Sequence, residues 1–425
     1  NLGAVDLAAI AIGRSLYMPG YLMLLGILLA INPITAQFYG AQKTPEIRRA
    51  VQSGLWLSQA LALSGMIAIR YVDGLMHVMD IPEPIIPITR EYLKAISWSL
   101  PATLAYLVLR FFSDGLSRTR PHFYFAAIAV PVNIAGNYIL MYGKLGFPRM
   151  GAVGAGWATA LVWWIMFLGM VIYIARKRAY RPYGVFRNLG RPQWEYVREI
   201  LRVGVPNGIS FGMETGMFAV VGLLIGSLGV EQVAGHQIAL NVASITFMVP
   251  LGISIAATSR VGREIGRQDP ARARLAGFVG IALAAGFMLL TGILMFSFPE
   301  AIARIYTSDS AVIRVAAPLL VMAALFQLSD GLQVSAAGAL RGLKDTRVPM
   351  LVNAVAYWIV GLPVGYYLGI VQGQGARGLW IGLIAGLSVA AVSHTWRFKI
   401  LITRWIARTS MPPKVRSVLE RQRET

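Results

Sequence analysis

Residues 203–226 read VGVPNGISFGMETGMFAVVGLLIG, and Glu214 is the only charged side chain among them. At about 1.5 Å per residue this run crosses a hydrocarbon layer of roughly 30 Å, with Glu214 near its centre. An ionised carboxylate at that depth costs roughly 3 kcal/mol, so it is expected to serve an ion or a cationic ligand. The plainer alternative is a protonated glutamic acid hydrogen-bonded to a neighbouring helix.

The rest of the chain resembles this run. Of 425 residues 56% are hydrophobic and only 14% charged, with a mean hydropathy of +0.60. Soluble domains carry about 25% charged residues, so this is a polytopic membrane protein, and the long apolar stretches below make the expected class all-α. There is no cysteine, which excludes disulfides, thiol nucleophiles and thiolate metal sites. About eleven stretches are apolar enough to span, near 7–38, 51–69, 93–112, 123–141, 152–175, 203–226, 233–258, 275–298, 315–340, 348–370 and 379–392.

The formal charge of +20 follows the same plan. Twenty-nine of the 39 Lys and Arg fall on alternate connections, at 43–49, 118–120, 176–202, 260–274, 341–347 and from 397 onward. By the positive-inside rule these face the cytoplasm, as does the C-terminus. The basicity therefore sets topology and contact with anionic lipid, and no nucleic-acid partner is expected.

A repeat runs through the chain. Gly40-Ala41-Gln42 matches Gly266-Arg267-Gln268 at an offset of 226, Gly115-Leu116 matches Gly342-Leu343 at 227, and Gly151-Ala152 matches Gly375-Ala376 at 224. A near-constant offset over most of the first half predicts two halves of the same architecture. The counterpart of 203–226 would precede residue 1, so the repeat predicts a further N-terminal helix and twelve spans in two six-helix lobes. An even number of spans per lobe gives the lobes one orientation, as parallel repeats. The expected divisions are an N-terminal lobe at 1–175, a cytoplasmic linker at 176–202, a C-terminal lobe at 203–396 and a basic tail at 397–425.

Within 203–226, Gly204, Gly208, Gly212 and Gly216 recur every fourth residue, a stripe suited to close helix contact. Glu214 points about 160° from Gly212 and Gly216. Its own face carries Asn207, Phe211 and Phe218, with Ser210 nearby, which suggests a polar and aromatic cavity lining. Asp330 is the only charge in 315–340, and Gln327, Asp330 and Gln333 form a stripe at three-residue steps. Such a stripe either glues helices together or joins Glu214 in a cation site, with Na⁺ a candidate at the Glu214–Asp330 pair. Gln237 and Asn241, four residues apart, offer neutral oxygen ligands. In the first half Asn133 and Asn137 share a face by the same spacing. Arg14 and Arg110 lie within spans, and Asp114 is placed to pair with Arg110 at i+4.

Two motifs of soluble enzymes are discounted. Gly208-Ile209-Ser210-Phe211-Gly212 fits G-x-S-x-G but lies inside a membrane helix rather than at a strand–helix elbow. Gly373 to Gly378 fits G-x-G-x-x-G with no strand before it. The four histidines are scattered, and no enzymatic activity or cofactor is expected beyond the coupling ion.

These residues resemble the multidrug and toxic compound extrusion (MATE) transporters, in particular their bacterial NorM-like branch. The likeness rests on Met213-Glu214-Thr215 with Phe218-Ala219-Val220-Val221, on Ala234-Gly235-His236-Gln237-Ile238-Ala239-Leu240-Asn241, and on Val261-Gly262 with Gly266. It continues through Ser329-Asp330-Gly331 and Ala337-Gly338-Ala339-Leu340-Arg341-Gly342, with Asn133, Asn137 and Tyr142-Gly143-Lys144 in the first half. The resemblance implies a monomeric antiporter of the bacterial inner membrane that exports organic cation drugs or dyes as Na⁺ or H⁺ enters. It implies a C-lobe cation site at Glu214 and Asp330. It also implies an N-lobe polar site at Asn133 and Asn137 that shares an Asp on the helix preceding residue 1.

Two other readings stay open on sequence alone. A lipid-linked oligosaccharide flippase carries a pyrophosphate and should place Arg or Lys in its cavity, whereas the lone charges of the second half are acidic. A membrane-embedded hydrolase would need Ser210 as its nucleophile.

Overall fold

The structure, a computed structural model, describes residues 3–78, 81–187 and 190–409. It is helical throughout, with no strand among the described residues. The first ten labelled helices are α1 (Ala4–Leu28), α2 (Ile31–Gly40), α3 (Thr44–Arg70), α4 (Asp73–Val78), α5 (Ile86–Ser97), α6 (Leu100–Gly115), α7 (Arg120–Tyr142), α8 (Gly151–Arg176), α9 (Trp194–Gly226) and α10 (Val230–Gly266). Then follow α11 (Pro270–Ser297), α12 (Pro299–Tyr306), α13 (Ser310–Gly342), α14 (Arg347–Ala354), α15 (Leu362–Tyr366) and α16 (Ala376–Thr409), with π-helical turns at Val355–Gly361 and Tyr367–Val371.

Among the described residues nine helical stretches are long and apolar enough to cross a membrane, the longest continuous helix being the 37 residues of α10. The α5–α6 pair, bent by 42°, makes up to ten. The break has a local cause: Pro101 in the first turn of α6 has no N–H to continue the ladder from α5. The expected span at 51–69 lies within the 27-residue α3, but Gln52, Ser53, Ser58 and Gln59 leave it more polar than the others. The sequence reading of eleven thus included one broken and one comparatively polar segment.

The repeat is written into the backbone. Outside glycine, the left-handed region is costly and seldom occupied. Gln42 (φ +59°) and Gln268 (φ +61°) occupy it 226 residues apart, and Ser117 and Lys344 (both φ +60°) occupy it 227 apart. Gly151 and Gly375, 224 apart, also have positive φ. The non-glycine positions close helix ends in matching ways: Lys43 N bonds Phe38 O and Asp269 N bonds Glu264 O, both at 2.9 Å. Arg118 N and Asp345 N likewise reach Ser113 O and Leu340 O, at 2.9 and 3.0 Å. Just before the second pair of turns, Asp114 and Arg341 occupy equivalent positions.

The chain divides into two compact units, Asn1–Gly212 and Met213–Thr425, and the division falls inside α9. In the first unit α9 lies tightly on α1. A Cβ at Gly204 would strike the Ile27 carbonyl, and one at Gly208 would lie 2.6 Å from the Met23 carbonyl. The core there gathers Leu28, Ile31, Tyr106, Phe111 and Phe112. The described residues of 176–202, a stretch expected as a linker, are integral to this unit. Tyr180 meets Phe112 at a tilt and Tyr183 meets it edge to face, at 5.8 and 5.7 Å between centroids. Gln52 donates to the Val185 carbonyl at 2.8 Å, and Trp56 to that of Gly190 at 3.0 Å. From Trp194 the chain is already α9.

In the second unit α13 is central, touching α10, α11, α12 and α16. Gly361, Gly365 and Gly369 meet Gly378, Gly382 and Gly386 of α16 at four-residue spacing on both sides. A Cβ on Gly361 would sit 3.1 Å from the Gly382 carbonyl, and one on Gly386 would sit 2.8 Å from that of Ala356. This close approach holds the π-helical turn of Val355–Gly361 against α16 and buries Tyr357 completely. Residues 397–409, expected as tail, extend α16, and Arg397 pairs with Asp345 at 2.9 Å. Residues 410–425 of that expected tail lie outside the described residues.

Candidate functional site: an acidic, aromatic cavity in the second unit

Glu214 of α9 and Asp330 of α13 line one cavity of about 220 Å³. Phe218, Phe247 and Phe326 line it with them, together with Leu240, Ala243 and Ser244. Helix periodicity explains the set. Phe218 stands one turn from Glu214, Phe326 one turn from Asp330, and Leu240, Ser244 and Phe247 follow at steps of four and three on α10. Phe218 and Phe326 meet edge to face at 6.0 Å, and Phe326 meets Trp380 at 5.7 Å. The rings fix the mouth of the two carboxylates with little side-chain freedom left to lose.

Two carboxylates at one cavity repel, and Glu214 and Asp330 do so here. Arg341, buried at the far end of α13, attracts Glu214. It lies eleven residues from Asp330 and about 20° round the helix, so both share a face. Its Nη2 donates to Ser254 Oγ at 2.6 Å.

The other expected residues are distributed unevenly. Gln327 and Gln333 are buried and flank Asp330 by about 60° on either side. Gln327 Nε2 donates to Thr246 Oγ1 and contacts Met295 Sδ at 3.1 Å, and Gln333 Nε2 donates to the Tyr357 hydroxyl at 3.0 Å. Both Oε1 atoms remain buried without a protein partner, the kind of neutral oxygen that a small cation can use. Gln237 and Asn241 are exposed and do not line the cavity, and Asn241 Oδ1 accepts from Tyr306 at 2.9 Å. No cluster of three or more His, Asp or Glu suited to a metal occurs among the described residues.

Two residues placed on the Glu214 face by helical geometry serve the first unit instead, and Ser210 near them bonds within its own helix. Asn207 is buried and donates to the Gly26 carbonyl at 2.8 Å. Phe211 packs on the first unit's core, and Ser210 Oγ turns back to the Pro206 carbonyl at 3.0 Å. A wheel drawn for one straight helix could not show that α9 is shared between two packings. Asn133 and Asn137 bond each other at 2.9 Å. Asp114 lies 3.7 Å from Arg110, as spacing predicted. His236 accepts from Trp380 Nε1 at 3.2 Å.

Phe247, Phe326 and Tyr357 were not singled out from sequence. The available signals were Phe326 at i−4 from Asp330 and the glycines every fourth residue around 361–386.

A bundle of membrane-crossing helices, built twice over and carrying carboxylates at an aromatic cavity, defines a membrane transporter. The MatE family description matches residues 1–139 and 206–367, one segment in each half, and the chain belongs to that family of transporters. It is 43% identical over 392 residues to the multidrug resistance protein PmpM of Pseudomonas aeruginosa, covering 91% of this chain and 82% of that protein. It is 38% identical over 411 residues to the multidrug resistance protein MdtK of Yersinia pseudotuberculosis, covering 96% and 89%. Among solved structures it is similar to an outward-facing multidrug resistance MATE transporter of the MOP superfamily. That match has a TM-score of 0.86 and 21% identity, covering 96% of this chain and 90% of the other.

Proposed function

We propose that the protein is a secondary multidrug efflux antiporter of the bacterial inner membrane, exporting organic cations in exchange for Na⁺ or H⁺. The observation that carries this reading is the cavity that joins Glu214 and Asp330 to three phenylalanines. Two ionised carboxylates in a low-dielectric site are unstable until a cation neutralises them. A proton, a sodium ion or the head of a lipophilic cation can each do so, and aromatic faces favour the last through cation–π attraction. The three therefore compete for one site. Exchange follows if ion and drug stabilise oppositely facing states, because each shifts the equilibrium by its differential affinity. The neutral oxygens of Gln327 and Gln333 supply further ligands for a dehydrated ion.

The names of the relatives support the drug substrate class, and the acidic cavity disfavours a pyrophosphate-carrying flippase. The hydrolase reading finds no support at Ser210, whose hydroxyl bonds within its own helix. We read the protein as a monomer with a cytoplasmic C-terminus. The Asn133–Asn137 pair belongs to a separate polar site in the N-terminal lobe.

The deciding experiment is efflux of a fluorescent organic cation from proteoliposomes under Na⁺ and H⁺ gradients imposed separately. Efflux driven by one gradient is expected. Efflux indifferent to both would overturn the antiport reading.

A further inference from the structure

A second cavity, of about 720 Å³, lies where α12, the start of α13 and the start of α16 converge. Three arginines line it, Arg304, Arg314 and Arg377, against one carboxylate, Glu300. Glu300 pairs with Arg304 at 3.4 Å. Arg314 and Arg377, both exposed, are left without a carboxylate partner among the described residues.

The arginines do not stand alone. Arg314, Pro318, Val321, Leu325 and Leu328 follow at steps of four, three, four and three, one continuous face of α13. Pro318, Val321 and Met322 form the apolar wall of the cavity. Leu325 and Leu328, 55% and 39% exposed, carry that wall on toward the membrane interior. Asp330 lies about 140° round the helix from Leu325, so this face is separate from the acidic cavity.

Its sidedness is unusual. The 298–309 connection caps the ends of α11 and α13 opposite the basic connections at 260–274 and 341–347. The positive-inside rule places it on the outer surface, where arginine is disfavoured. A cationic mouth above an exposed apolar track has the two chemistries of a phospholipid in their native order: a phosphate for the guanidiniums, which hold it through paired N–H donors, and an acyl chain below.

We propose that this groove binds an anionic phospholipid of the outer leaflet, its phosphate on Arg314 and Arg377 and one chain along Val321, Leu325 and Leu328. The test is native mass spectrometry of the full-length protein titrated with dioleoyl phosphatidylglycerol and, separately, dioleoyl phosphatidylcholine. For R314Q/R377Q we expect a loss of about thirtyfold in phosphatidylglycerol affinity, with phosphatidylcholine binding unchanged. R314K/R377K, which keeps the charge but loses the paired donors, should fall between. Unchanged phosphatidylglycerol binding in R314Q/R377Q overturns the proposal. So does an equal loss in R404Q/R408Q at the opposite end, which would make the effect one of bulk charge. Competition by inorganic phosphate as effective as by the lipid also overturns it, pointing to a free-anion site.

Discussion

Arg341 and Ser254 are joined across the α10–α13 seam at 2.6 Å, and Ser254 passes the contact on by donating to the Val334 carbonyl at 2.7 Å. One helical turn along, Thr258 donates to the Gly338 carbonyl at 2.8 Å. The seam is tight because Gly338 has no Cβ to meet the Ser254 backbone. Removing Ser254 as Ala deprives a buried guanidinium of an acceptor, a loss of roughly 1–3 kcal/mol. A double-mutant cycle with Arg341→Gln, read by thermal unfolding in detergent, should give a coupling of roughly 0.5–3 kcal/mol. Additive effects would mean that the contact contributes nothing.

Glu214→Gln and Asp330→Asn each remove one negative charge while keeping size and hydrogen bonding. Both variants should insert and fold normally and lose gradient-driven efflux by at least tenfold, measured in proteoliposomes at matched protein density. Wild-type rates in either variant would remove that carboxylate from the exchange mechanism.

Truncating the rings should reshape selectivity rather than abolish transport. Phe326→Ala opens space beside Phe218 and Trp380, and loses roughly 0.5–1.5 kcal/mol of ring contact in addition to buried area. Bulky aromatic cations are expected to show a raised KM, with the ion dependence of efflux retained. An unchanged substrate profile across Phe218→Ala, Phe247→Ala and Phe326→Ala would show that the cavity does not hold the drug.

Tyr357→Phe leaves Gln333 Nε2 without its acceptor in a buried setting, a cost of roughly 1–3 kcal/mol. Lower thermal stability is expected, and the double variant with Gln333→Leu should recover much of it, because a buried apolar pair needs no partner. No recovery would mean that the hydroxyl acts elsewhere.

The parts of this architecture that depend on single-helix patterns were readable in the sequence. Hydropathy located the spans, small residues at constant offset exposed the repeat, and lone acids marked Glu214 and Asp330. What escaped depends on how helices share neighbours. Asn207 and Phe211 lie on the same strip of α9 as Glu214, yet they pack with the first unit because Gly204 and Gly208 bring that half of the helix onto α1. Gln237 and Asn241 sit 70° or more from the cavity-facing centre of α10, and the polar residues of α10 are spread over several faces, so polarity alone does not mark the face that turns inward. Tyr357 is set by a π-helical turn, which shifts every later side chain off the ordinary 100° step. The break between α5 and α6 had a signal in Pro101, but one proline in an apolar run is equally compatible with a kinked, continuous helix.

The equivalence of Asp114 and Arg341 has an electrical implication. The same turn follows a carboxylate in one half and a guanidinium in the other. Each half balances its own charge: Arg110 stands beside Asp114, while Arg341 has the pull of Glu214 and the Ser254 hydroxyl as an acceptor. The two halves are alike in backbone and distinct in charge. Swapping the two residues should therefore fail in both halves at once.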